Sequence, residues 1–270
     1  MVSSITRGGT ITSDGLSVPL ADVRAVEERA SRAWPETRHE MIGGWRLRYS
    51  PGVPNRRANS VLPIYSPEGA NVEECIEKVE AYYRNRKMPA RFMISPPSEP
   101  SGLDQILVDR GYHIDAPTDV QWAKTTDLSG LSDDGLQVEF DQNPTLDWMS
   151  VYMEGVTDAT EIGKKRDLIS RIGAVFTLAQ IKVDGKVESV GLGVYEDGWV
   201  GIFCMHTRAD FRRQGLARAV LGGLVKWAQD MGGAQMYLQV ERDNPGARQF
   251  YESVGFTTCY GYHYRTKDVG

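Results

Sequence analysis

Arg212-Arg213-Gln214-Gly215-Leu216-Ala217 is the part of this chain whose residue types and spacing most clearly imply chemistry. It lies between an apolar run, residues 200–205, and an amphipathic segment from Gly215 onward that is predicted to be helical. A helix N-terminus leaves backbone N–H groups unpaired and carries a partial positive charge, so it attracts phosphates. Gly215 and Ala217 lack bulk and let a diphosphate approach the backbone. Arg212, Arg213 and Arg218 surround that point with positive charge.

A second block follows. It runs from Leu238-Gln239-Val240-Glu241 through Asn244-Pro245-Gly246-Ala247 to Phe250-Tyr251-Glu252-Ser253-Val254-Gly255-Phe256. Arg-x-x-Gly-x-Ala after a strand, then strand, Asn, Ala, Phe-Tyr and Gly-Phe in that order, resembles the acetyl-CoA site of the GNAT N-acetyltransferases. The resemblance covers about the last half of the chain, from residue 136 on. It implies that Met205 and Thr207 meet the pantetheine arm by backbone, and that Arg212, Arg213, Gln214, Gly215, Leu216, Ala217 and Arg218 hold the pyrophosphate. It also implies that Asn244 and Ala247 touch the cofactor and that the Tyr251 hydroxyl lies near the thioester sulfur. A phenol titrates near 10, close enough to a thiol to protonate a leaving thiolate. Phe250, beside it, is expected to be the core residue of the pair.

The general base is less defined. Members of the family often carry a Glu on the strand before the loop, and residues 200–205 have no carboxylate. Glu241 is the first candidate, followed by His206 and Asp197, with a water as the remaining option. His206 has a plainer reading as a strand-end residue bonded to backbone. Cys204 reads as core rather than as a nucleophile. By resemblance the acceptor wall comes from the two helices after the first strand of this half. Glu154, Asp158, Glu161 and Asp167 stand there, and Trp148, Tyr152 and Trp199 could line the same cleft. Such carboxylates ordinarily form a solvated helix face. Their sharper reading is a site for a small cationic amine, with Glu154, Asp158 and Trp199 as substrate contacts.

The composition sets bounds. Of 270 residues, 41% are hydrophobic and 25% charged, with net charge −5, which is that of a globular chain and not of a nucleic-acid binder. No apolar run reaches the length of a membrane span. Residues 1–19 read as a polar tail without the apolar stretch of a secretory signal, with a short strand near residues 17–20. Three scattered cysteines suit a reducing cytoplasm, and four histidines without ligand spacing predict no metal site.

Those site residues need elements to hold them. In the second half the pattern predicts strands at 136–140, 174–183, 187–195 and 199–207, and helices at 145–154 and 161–172. The first half predicts helices at 20–33, 71–86 and 103–110, and strands at 45–49, 59–64 and 90–94. Residues 112–124 read as a strand pair or one long bent strand. Residues 103–112 and 247–256 both read as a helix ending in Gly-aromatic before a strand, with Leu107 where Tyr251 stands. The expected fold is α/β with a mixed sheet, built as tandem GNAT-like units of which the second is catalytic. The units are residues 20–127, degenerate, and 135–270, acetyl-CoA-binding, with a Ser/Gly/Asp-rich linker between them. The resemblance implies acetyl-CoA as co-substrate and a small-molecule amine as acceptor, with an aminoglycoside such as kasugamycin foremost. A peptide or protein N-terminus, a metabolite amine, and a non-catalytic acyl-CoA sensor are the alternatives. The chain is expected to be a monomer or homodimer.

Overall fold

The computed structural model describes residues 18–66, 68–128, 131 and 135–270. Most of the predicted tail and part of the predicted linker lie outside the described residues. In chain order the first half gives α1 (Leu20–Ala33), β1 (Arg38–Ile42), β2 (Trp45–Tyr49), β3 (Val61–Leu62), α2 (Val72–Arg84), β4 (Ala90–Ile94), α3 (Leu103–Asp109) and β5 (His113–Lys124). The second half gives β6 (Val138–Asp141), α4 (Leu146–Tyr152), α5 (Ala159–Ser170), β7 (Val175–Val183), β8 (Lys186–Glu196) and β9 (Trp199–Thr207). It ends with α6 (Leu216–Asp230), β10 (Gln235–Glu241), α7 (Pro245–Ser253) and β11 (Thr257–Lys267). Among the described residues no helix is long and apolar enough to cross a membrane.

Local chemistry explains the main elements. Asn71 caps α2 by accepting from the Glu74 N–H at 3.2 Å, and Ile76, Val79 and Tyr83 bury one face of that helix. On α6 the stripe Leu216, Val220, Leu224 and Ala228 enters a core shared with Leu238 and Val240 of β10. Strand β8 is buried along nearly its whole length, as expected of a strand covered on both faces. Gly111 and Gly255 follow α3 and α7 with φ of +82° and +110°, the left-handed ending foreseen for both helices.

Several local expectations change. Strand β1 was not foreseen; it forms an antiparallel hairpin with β2 across Gly43-Gly44. The strand expected at 59–64 shrinks to two residues, and the short strand near 17–20 is the entry to α1 in its described part. Residues 113–124 form one strand, with Ala116 at φ +45°.

All eleven strands among the described residues join one mixed sheet in the order β1-β2-β3-β4-β11-β5-β10-β9-β8-β7-β6. The middle of that order is an exchange. The last strand of the chain, β11, lies between β4 and β5 of the first half and is antiparallel to both. The last strand of the first half, β5, in turn pairs antiparallel with β10 of the second half. The two sides mirror each other: β3 runs parallel to β4, and β9 runs parallel to β10. The helix–Gly–strand corners seen in the sequence are α3 to β5 and α7 to β11, the two units that cross over.

Candidate active site

The sheet opens where the sequence places its chemistry. Strands β9 and β10 pair from Trp199–Gln235 to Ile202–Leu238 and no further. Beyond that point β9 bulges. Cys204 has φ +53°, and the register against β8 slips between Val190 and Leu192. Residues 203–207 therefore present an edge to β10 that it does not pair, and Met205 and Thr207 lie on this stretch. The Thr207 hydroxyl is 2.8 Å from that of Ser189, and its carbonyl accepts from Arg212 Nε at 3.1 Å.

At the end of β9 the loop turns into α6. Gly215 is the N-cap with φ +85°, a conformation that costs other L-residues energy, and an added Cβ there would meet nothing within 4 Å. No side chain caps this helix, whereas Asn71, Thr145, Asp158 and Asn244 cap α2, α4, α5 and α7. The first N–H groups of α6 thus have no capping side chain, and Arg212, Arg213 and Gln214 next to them are exposed. Leu216 contributes only its backbone, because its side chain is buried in the core. The half-buried Ala217 and Arg218 follow on the first turn. This arrangement fits a diphosphate.

Tyr251 sits on α7 within the cluster that includes Leu238 and Val240, and Met205 packs against that cluster. Its ring centroid is 5.1 Å from Phe250 and 5.9 Å from Phe256. The expected division of labour is reversed: Tyr251 is the buried neighbour, and Phe250 is only partly covered. Burial raises the phenol's pKa above its ordinary value. Asn244 Oδ1 accepts from the Ala247 N–H at 3.1 Å, so both residues serve the helix start first.

A cavity of about 200 Å³ lies at the opening, between Cys204 on β9 and Gln239 and Glu241 on β10. Trp34, Asn55 and Arg57 of the first half complete its wall. Glu241 is half exposed at the end of β10 and pairs with Arg56 Nη1 at 3.3 Å. Burial pushes the Cys204 thiol up to about 12, so it stays protonated at neutral pH.

The model of the family described as "Probable histone acetyltransferase Rv0428c C-terminal" matches residues 20–265. The chain belongs to this family. It is also 29% identical over 253 residues to the uncharacterized N-acetyltransferase YobR of Bacillus subtilis strain 168, covering 92% of this chain and all of that one. The fold is shared with a GCN5-related N-acetyltransferase from Kribbella flavida. There the TM-score is 0.70 and identity 15%, over 93% of this chain and 96% of the other. A tandem GNAT protein from the clavulanic acid biosynthesis pathway superposes with TM-score 0.62 and 12% identity, over 85% and 79% of the two chains. By family the chain is an acetyltransferase, and its fold is that of the GNAT proteins.

Within that fold the expected acceptor residues separate. Trp199 begins β9, at the opposite end from the loop. Eight residues at roughly 3.3 Å each put it about 26 Å from Thr207. It packs against Trp122 at 5.4 Å and Tyr237 at 6.3 Å, so the placement in an acceptor cleft is corrected to a packing role. Asp158 is the N-cap of α5, accepting from the Thr160 N–H at 2.8 Å. Glu154 is already engaged: its carboxylate is 3.0 Å from His206 Nε2, 3.8 Å from Arg208 and 4.0 Å from Arg212. The hydrogen bond from His206 is the main cause that holds its pKa below the usual carboxylate value. His206 is therefore bound to a carboxylate rather than to backbone. Sequence reasoning gave no role to Trp34, Arg57 or Gln239. Gln239 stands inside the second block of the sequence, whereas no local pattern marks Trp34 or Arg57 as site residues.

Proposed function

We propose that this chain transfers the acetyl group of acetyl-CoA to the amine of a small acceptor. One observation carries the reading: β9 and β10 part immediately beside an uncapped helix start ringed by arginines, and a cavity lies in the gap. The N–H groups of residues 216–218, with Arg212, Arg213 and Arg218, bind the diphosphate. The free edge at Met205 and Thr207 orients the pantetheine arm. The thioester supplies an activated acyl carbon, and the chain's residues manage two protons.

Glu241 takes a proton from the acceptor's ammonium, because only the neutral amine has a lone pair with which to attack. As the nitrogen–acyl bond forms and the carbon–sulfur bond breaks, the Tyr251 hydroxyl donates toward the departing thiolate. The hydroxyl is protonated at neutral pH, and its burial makes it a weaker acid than a free phenol. Direct attack is favoured over an acyl-enzyme, since the half-buried Cys204 thiol, raised to about 12, does not ionise near neutrality. Residues 20–127 act as a degenerate unit that lends wall residues, and residues 135–270 form the catalytic unit.

The acidic wall expected for an aminoglycoside does not support that acceptor, because Glu154 is engaged by His206 and two arginines and Asp158 by its own helix. The test is release of free CoA from acetyl-CoA over a panel of amines. The expected result is amine-dependent release with one acetyl group on the acceptor nitrogen. The reading fails if no amine in the panel accelerates release while acetyl-CoA binds.

A further inference from the structure

The cavity between β9 and β10 has a chemistry that acetyl transfer alone does not explain. Unpaired polar atoms gather on its lining residues. Arg57 Nη1, Trp34 Nε1, and both Nε2 and Oε1 of Gln239 are shut off from solvent and form no hydrogen bond among the described residues. Buried polar groups are normally paired, and each left unpaired is costly. A site that keeps four is matched to a group that pairs them. Three are donors, and one belongs to a cation.

Arg57 is held ready for such a group. Its Nη2 donates to the Tyr262 hydroxyl at 2.9 Å, which anchors one arm of the guanidinium. Its neighbour Arg56 is paired with Asp115 at 2.9 Å and Glu241 at 3.3 Å, whereas Arg57 has no carboxylate within 4.0 Å among the described residues. Glu27 lies farther back, with its Oε1 accepting from the Tyr260 hydroxyl at 2.8 Å. Burial opposes the charge on Arg57, but an arginine keeps its proton far above neutral pH, so the guanidinium stays charged. The cavity thus has a cation and donors on one part of its wall and the Glu241 carboxylate on another.

We infer that the acceptor is an amino-acid-like zwitterion, whose carboxylate is held by Arg57, Trp34 and Gln239 while its amine faces Glu241. The inference rests on the acetyl-transfer reading and names the acceptor class for it. A planar guanidinium matches a carboxylate in a two-bond fork. The unpaired atoms lie just beneath the cavity surface, so a bound carboxylate pairs with them only as the guanidinium and the Gln239 amide turn toward it. A polycation would meet Arg57 with like charge. A protein N-terminus offers no carboxylate beside its amine. The volume, about 200 Å³, is below the roughly 300–1,000 Å³ of sites for drug-sized ligands.

The test compares matched acceptors on the full chain at saturating acetyl-CoA. Free L-α-amino acids are run against the corresponding amino acid amides, an aminoglycoside and a short peptide. The expected result is a kcat/KM at least tenfold higher for an acid than for its amide. Arg57→Gln should erase that preference by raising KM for the acid about ten- to a hundredfold, with acetyl-CoA affinity by calorimetry unchanged. Gln239→Leu, a substitution without charge, should shift the same KM in the same direction if Arg57→Gln does not fold. Equal use of acids and amides, preference for the aminoglycoside or peptide, or turnover of no carboxylate-bearing amine would overturn the inference. Those outcomes leave the acetyl-transfer reading standing wherever another amine is acetylated. Failure to bind acetyl-CoA would remove both.

Discussion

Tyr251 holds two roles that are usually separate: its ring is core, packed between Phe250 and Phe256, yet its hydroxyl forms no hydrogen bond among the described residues. Removing that hydroxyl should therefore leave stability almost unchanged. If it protonates the thiolate, Tyr251→Phe lowers kcat by roughly 10²–10⁴-fold, with chemistry shown to be rate-limiting by single-turnover kinetics. A near-normal kcat returns the residue to packing alone. The cysteines give a second residue-scale expectation. Burial pushes both Cys204 and Cys259 up to about 12, and Cys75 is buried. The thiolate form becomes abundant only as pH rises toward that value, so at pH 8 the native protein should show almost no titratable thiol. Denaturation should expose three. A fast-reacting thiol in the native state would bring a covalent cysteine mechanism back.

At the scale of elements, the helix start of α6 separates conformation from charge. Gly215→Ala has room for its Cβ but not a favourable φ, so it should cost about 1 kcal/mol and lower Tm by roughly 2–4 °C. Scanning calorimetry of the variant checks this, and an unchanged Tm would mean the left-handed turn is not required. The loop was legible in the sequence because its signal is local: small residues, arginines and an amphipathic run within a few positions. The acceptor side was not. Arg57 sits in a loop between β2 and β3 and reaches the cavity only through the tertiary fold. Trp199 shows the reverse failure, since an aromatic on the right strand proved to be at its wrong end.

For the whole molecule, the exchange of β5 and β11 joins two halves that the sequence presented as consecutive units. The Gly-aromatic corners led to the expectation of two like units, but strand pairing across more than a hundred residues leaves no local pattern. Since each half completes the other's side of the sheet, the halves should unfold together. Calorimetry should show one transition whose calorimetric and van't Hoff enthalpies agree, and two resolved transitions would contradict the structural coupling. The same asymmetry between halves bears on the cofactor. Leu107 is fully buried where the second half has Tyr251, and no arginine–glycine loop precedes α2. Titration of the full chain with acetyl-CoA, alongside Gly215→Glu, tests the central claim most directly. The account predicts one molecule bound per chain, with binding abolished in a Gly215→Glu variant that keeps its fold by circular dichroism. Two equivalent sites, or unchanged affinity in the folded variant, would contradict it.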